Sequence, residues 1–99
     1  MTIKNTNTTE KGNFKAIENN LQAGILTYIW DGENKIIIEH TVVAPLFEGK
    51  GIGRQLVMAA VEFAREKGVK IEPICPFAMA VFEKKKDIQD VLAYPFQDN

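Results

Sequence analysis

The chain has 99 residues, 45% hydrophobic and 25% charged, with one cysteine. That is enough for one globular domain with a thin core, and it excludes an internal disulfide. Twelve basic and thirteen acidic residues leave a net charge of −1, which offers no electrostatic case for nucleic acid or an anionic membrane surface.

Met1 to Gly12 is polar and rich in Thr and Asn. It lacks the apolar core of a signal peptide, and no stretch is long enough to span a bilayer. The expectation is a flexible N-terminal tail over residues 1–12, then a single domain over residues 13–95, in a cytoplasmic protein.

Asn13 to Glu18 reads as a short strand carrying Phe14 and Ile17. Asn19-Asn20 is turn chemistry. Gln22 to Trp30 alternates as a strand, with Leu26, Tyr28 and Trp30 on one face and Ile25, Thr27 and Ile29 on the other. Asp31-Gly32-Glu33-Asn34 predicts a hairpin turn. Lys35 to Val43 is the return strand, and Ile36-Ile37-Ile38 is apolar on both faces, as inside a sheet. By strict alternation His40 shares a face with Ile36, Ile38 and Val42, and Glu39 faces the other way.

Ile52 to Lys67 carries Ile52, Leu56, Ala60, Phe63 and Ala64 on one helical face. Arg54, Gln55, Glu62, Arg65 and Glu66 fall largely on the other. Lys67-Gly68 is a helix stop. Val69 to Cys75 is a short strand, parallel to Lys35–Val43 because a right-handed crossover requires it. Pro73 and Pro76 bracket its end. Phe77 to Lys85 is a second helix, with Pro76 suited to its first turn. Asp87 to Asn99 carries no decisive pattern. The order is three antiparallel strands, a helix, a parallel strand and a helix, a small α/β sheet.

Between the return strand and the first helix lies Glu48-Gly49-Lys50-Gly51-Ile52-Gly53-Arg54. A helix start carries unsatisfied N–H groups and partial positive charge. Glycines let an anion approach that backbone. The spacing lacks the Gly-Lys-Ser/Thr of a Walker A loop and the Gly-x-Gly-x-x-Gly of a dinucleotide fold. The loop therefore reads as a cradle for a phosphate or diphosphate, at the carboxyl end of a strand.

The run His40-Thr41-Val42-Val43, this glycine loop and Ile74-Cys75-Pro76-Phe77 resemble the GNAT acyltransferase superfamily. They resemble in particular its small, single-domain acetyl-CoA-binding subgroup, over roughly Phe14 to Leu92. The resemblance implies a compact GNAT-like fold without the N-terminal helices that shape the acceptor site. It implies acetyl-CoA as cosubstrate, held by the amides of Gly49, Lys50, Gly51, Ile52, Gly53 and Arg54, with Thr41, Val42 and Val43 pairing the pantetheine arm. Glu48 stands where Arg or Gln is usual, and Phe82 stands where many members carry a tyrosine that protonates the departing thiolate.

Cys75 is a candidate acyl carrier or acid, against the alternative of a small buried hydrophobe. His40 is a candidate base for the amine or for Cys75, against that of a hydrogen-bonded core histidine. Lys84-Lys85-Lys86 reads as a solvated helix end rather than a phosphate contact, and Lys50 and Arg54 are better placed for phosphate. No metal is expected. Two functions remain open: acetyl transfer from acetyl-CoA to an amine, or an acyl-CoA-binding module acting as a sensor or partner subunit. The acceptor or protein partner is not specified by the residues.

Overall fold

The computed structural model describes residues 1–96. Five strands form one sheet in the order β1-β2-β3-β4-β5. They are β1 (Thr2–Asn7), β2 (Lys11–Glu18), β3 (Leu21–Trp30), β4 (Lys35–Val43) and β5 (Lys70–Pro73). The first four run antiparallel, and β5 lies parallel to β4. Helix α1 (Ile52–Lys67) makes the β4–β5 crossover, and α2 (Pro76–Lys84) follows β5. Short 3-10 turns span Pro45–Phe47 and Lys86–Val91. The expected α/β organisation holds, and no helix precedes Pro45 among the described residues.

The expected flexible tail is corrected by β1. Thr2 to Asn7 pairs with β2 along its whole length, from Thr2 opposite Ile17 to Asn7 opposite Gly12. Its asparagines are the reason. The Asn5 amide donates to the Tyr28 hydroxyl oxygen at 3.2 Å. The Tyr28 hydroxyl donates to Asn7 Oδ1 at 2.7 Å, and Trp30 Nε1 donates to the same oxygen at 2.9 Å. Thr8 closes the hairpin, its Oγ1 accepting from the Glu10 and Lys11 amides. Strand propensity is weak for Asn, so only the neighbouring strand reveals β1.

The core lies between the sheet and α1. Leu56, Val57, Ala60 and Val61 are fully buried, and each of the larger ones contributes about 1.5–3 kcal/mol by burial. The Phe63 ring packs on Phe14, Tyr28 and Trp30 at centroid distances of 5.6, 5.7 and 6.1 Å. Gly68 ends α1 in the left-handed conformation, its N–H donating to Ala64 O. Asn19 and Asn20 both take positive φ, 50° and 63°, which matches the right-handed twist of the β2–β3 hairpin.

A bulge in β4 changes which residues meet. Tyr28 pairs with Ile38, but Thr27 pairs with His40, so Glu39 is an extra residue. Ile36 and Ile38 are buried, whereas His40 and Val42 are exposed. The expectation that His40 shares the face of Ile36 and Ile38 is therefore corrected. Beyond the bulge, Thr41 and Val43 turn to the helix-covered face, opposite Leu26 and Gly24. Glu39 and His40 together face the side away from α1.

After α2 the chain packs back. Ile88, Val91 and Leu92 are buried, and Leu92 bridges to Ile71. Arg65 holds this segment, with Nη2 donating to Asp90 Oδ1 at 2.7 Å and to Asp87 O at 2.9 Å. Residues 97–99 of the region without a decisive pattern lie outside the described residues.

Candidate acyl-CoA cleft

Strand β4 is paired on one side only over its last third. Its ladder with β5 ends at Ile38 opposite Pro73, with Ile74 N–H donating to Ile38 O at 3.0 Å. Its ladder with β3 continues to Val43. Residues 39–43 thus present one edge without a neighbouring strand. Pro73 explains the end of pairing, since proline has no N–H to continue a ladder.

The free edge leads into the glycine loop. Gly49 and Gly51 both take positive φ, 80° and 76°, a conformation costly for other residues. A Cβ at either would meet only open space. Gly51 is the N-cap of α1, no side chain caps this helix, and its first turn holds no acidic residue. The first helical bond runs from Gln55 N–H to Gly51 O at 3.1 Å. The amides of Ile52, Gly53 and Arg54 precede it and point from the helix end. Such a terminus fits an anion, since its donors are aligned and the dipole is unopposed.

Gly53 has a different reason to be glycine. A Cβ there would lie 2.7 Å from Phe77 Cζ. The Phe77 ring, at the first turn of α2, closes on the α1 backbone. Phe77 has no strong signal in sequence, because its partner is a missing side chain.

The free edge, the loop and α2 enclose a cleft of about 890 Å³. Thr41, Val43, Phe47, Phe77 and Val81 supply its apolar and hydroxyl walls. Arg54, Lys84 and Lys85 supply positive charge, and Glu48 lines the same cleft. Lys50 lies with its ammonium 5.7 Å from the centre of the Phe47 ring. Lys84 and Lys85 were expected only at a solvated helix end. The structure puts them on the cleft wall, because α2 runs back past the loop. Periodicity within α2 alone could have placed Lys84 with Val81 and Phe77, three and seven residues before it.

Cys75 is the N-cap of α2. Its Sγ accepts from Ala78 N–H at 3.3 Å and lies 3.5 Å from Thr41 Oγ1. The residue is 5% exposed. Thr41 lines the cleft, and Cys75 stands behind it. His40 is brought to neither: it is exposed on the far face of β4, and no hydrogen bond or ion pair of its side chain occurs among the described residues. Phe82, at the position where a tyrosine is usual, is fully buried. A phenol at that depth would not reach the cleft in this arrangement.

A half-open α/β sheet that splays beside an uncapped glycine helix start is the frame of an acyl-CoA-type acyltransferase. The chain belongs to the family described as GCN5-related N-acetyl-transferase, whose model matches residues 13–91. It is similar to Protein NATD1 of Xenopus tropicalis, 33% identical over 51 residues, or 52% of this chain and 47% of that protein. The match thus spans about half the length of that relative. Among solved structures, a GCN5-like protein of Staphylococcus aureus is 32% identical, with a TM-score of 0.75 over 99% of this chain and 92% of that one. The fold also matches AAC(6')-Iy in complex with the bisubstrate analog CoA-S-monomethyl-acetylneamine, at 15% identity and a TM-score of 0.59, over 93% of this chain and 71% of that one. Among the described residues no helix is long and apolar enough to cross a membrane.

Proposed function

We propose that this protein binds acetyl-CoA in the 890 Å³ cleft and transfers the acetyl group to an amine. The observation that carries this reading is the continuity of free strand edge, uncapped glycine loop and cationic wall. The diphosphate takes the amides of Gly51 to Arg54, with Arg54 beside them. The pantetheine amides take the open edge at Thr41, Val42 and Val43, as an added strand would. Lys84 and Lys85 meet the remaining phosphate. A β4 N–H near Val42 polarises the thioester carbonyl, where negative charge grows as the amine attacks.

In the transfer, the amine nitrogen bonds to the thioester carbon, the carbon–sulfur bond breaks, and the nitrogen's proton departs. His40 lies outside the cleft, on the far face of the free edge, and takes that proton from an amine that approaches from that face. Cys75 and Thr41 form a pair at the cleft wall able to return one to the leaving thiolate, which makes CoA thiol. The acetyl-carrier role for Cys75 would require Sγ to emerge from behind Thr41.

Acetyl-CoA titrated against the labelled protein should shift the amides of Val42, Val43 and Gly49 to Arg54, with ATP and NAD far weaker. Thiol release should then rise on addition of a primary amine. Equal responses to ATP and acetyl-CoA would refute the cleft assignment. Binding without amine-dependent thiol release would favour the second reading, a non-catalytic acyl-CoA module. The cleft lining among the described residues includes no tyrosine, which favours that reading.

A further inference from the structure

Every helix lies on one side of the sheet: α2 and the C-terminal 3-10 turn pack on α1, and Phe47 of the first 3-10 turn lines the cleft with it. The opposite face is bare among the described residues, and it is not polar. Ile17, Ile25, Ile29 and Ile37 stand on it half-buried, outside the core cluster, and Val42 is 57% exposed. A sheet with one solvated face ordinarily alternates apolar in and polar out. The charges on this face are sorted by strand. Lys4, Lys11 and Lys15 project from β1 and β2, and none of them makes an ion pair among the described residues. On β4 and β5, Lys35 is paired with Asp31 and Glu72, and Lys70 donates to Asp90 O. Glu39 is left as the uncompensated charge on that side. The molecule measures 39 × 33 × 19 Å, so this face is one of its two broad ones. It is large enough for the roughly 800 Å² per partner of a stable interface.

We propose that a second copy of this chain covers this face, as a dimer of two sheets packed face to face about a twofold axis running along β3. Sheets stack about 10 Å apart with strand directions within about 30° of each other, and a twofold interface must be complementary to itself. An axis across the strands would set β2 on β2 and lysine on lysine, which is repulsive. An axis along β3 sets β2 of one copy on β4 of the other and keeps each residue at its own level along the strands. Ile25 and Ile29 then meet their own counterparts. Lys15 is level with Ile25 and Val42, and Lys11 with Ile29 and Ile37. The lysine stems of one copy therefore lie on Val42 and Ile37 of the other, with their ammonium groups free to reach outward. Glu39 stands at the bulge beside Thr27 and His40, between those two levels. It thus falls between the charges of Lys11 and Lys15 of the other copy, and symmetry makes the contact twice. The interface stands whether or not the chain transfers an acetyl group. Where it does, β1 of one copy stands over the gap between β4 and β5 of the other, and the amine enters that gap from the edge of the interface.

The test is sedimentation equilibrium of the full chain from micromolar to millimolar concentration, where a mass twice that of the chain is expected. Ile29→Asp sets two carboxylates against each other on the axis and should weaken association at least a hundredfold. Glu39→Lys should weaken it at least tenfold, and so should Lys11→Glu with Lys15→Glu. The three charge substitutions together reverse the sign of both sides, and they should restore association to within a few-fold of the parent. A misfolded variant would show no such recovery. Nuclear Overhauser contacts between the Ile25 methyls of labelled and unlabelled copies should place the interface on this face. A chain that stays monomeric throughout the range would overturn the proposal and leave the face to a different protein. A dimer indifferent to Ile29→Asp and Glu39→Lys would overturn it in favour of another surface. Loss of association in the charge variants without recovery in the triple variant would overturn the axis along β3.

Discussion

Glycine 51 and glycine 53 sit two residues apart for unlike reasons, and their variants should separate. Gly51→Val forces a β-branched residue to a φ of 76° with open space around its Cβ. It should cost about 1–2 kcal/mol of stability through the left-handed backbone and abolish CoA binding by filling the cradle. Gly53→Ala instead drives a Cβ against the Phe77 ring. It should destabilise by about 1–3 kcal/mol as an overpacked contact, and Phe77→Ala in the same chain should recover most of that. Denaturant melts of the two single variants and the double variant measure the coupling. Additive costs would mean that the ring and Gly53 do not meet. Glu48 lines the cleft with the cations, so Glu48→Arg should tighten CoA binding at low salt. The gain should shrink as added salt shortens the screening length to about 8–10 Å. Calorimetric titrations at two ionic strengths check both the sign and the trend.

At the scale of elements, two contacts outside the cleft decide how much of the chain is folded. Asn7 Oδ1 accepts hydrogen bonds from both Tyr28 and Trp30. Asn7→Ala should cost about 1–3 kcal/mol, since it leaves polar groups of the first hairpin unpaired. Faster amide exchange throughout Thr2–Asn7 should accompany the loss. The second contact joins α1 to the C-terminal 3-10 turn. The Arg65 guanidinium, bonded to Asp90, holds that carboxyl below its ordinary value of 3.8. A depressed carboxyl pKa stabilises the fold above the unfolded value and loses that contribution as pH falls through the folded value. The Arg65–Asp90 contribution should therefore be complete at neutral pH, begin to fall near pH 3.8 and be lost as pH drops through the lower folded value. Asp90→Asn should flatten that part of the acid limb of a stability-versus-pH curve. An identical acid limb would show that the pair is already broken in solution. The pair is solvent-exposed, so its effect is a modest slope rather than a large loss.

The whole molecule is small enough that ligand binding should dominate its melting behaviour. A ligand at one hundred times its Kd stabilises the native state by about 2.7 kcal/mol. For a domain of this size that corresponds to a rise in Tm of roughly 10 °C or more. Acetyl-CoA should produce such a rise in the parent protein and none in Gly51→Val, as differential scanning calorimetry would report.

What the sequence determined by itself was the set of local units. Period-2 and period-3.6 patterns located β2 to β5 and both helices, because their apolar faces are each written within one segment. The glycine loop was legible for the same reason: a strand end, alternating glycines and a helix start are contiguous. Three features were decided only in three dimensions. Strand β1 carries almost no apolar signal and exists because Asn5 and Asn7 meet Tyr28 and Trp30, more than twenty residues away. The β4 bulge inverts the expected facing of His40 because a register shift depends on the neighbouring strand, which alternation within one strand does not contain. Lys84, Lys85 and Phe77 entered the cleft through the packing of α2 beside the loop. A residue's chemistry is local, but whether it faces a ligand is set by the elements that close around it.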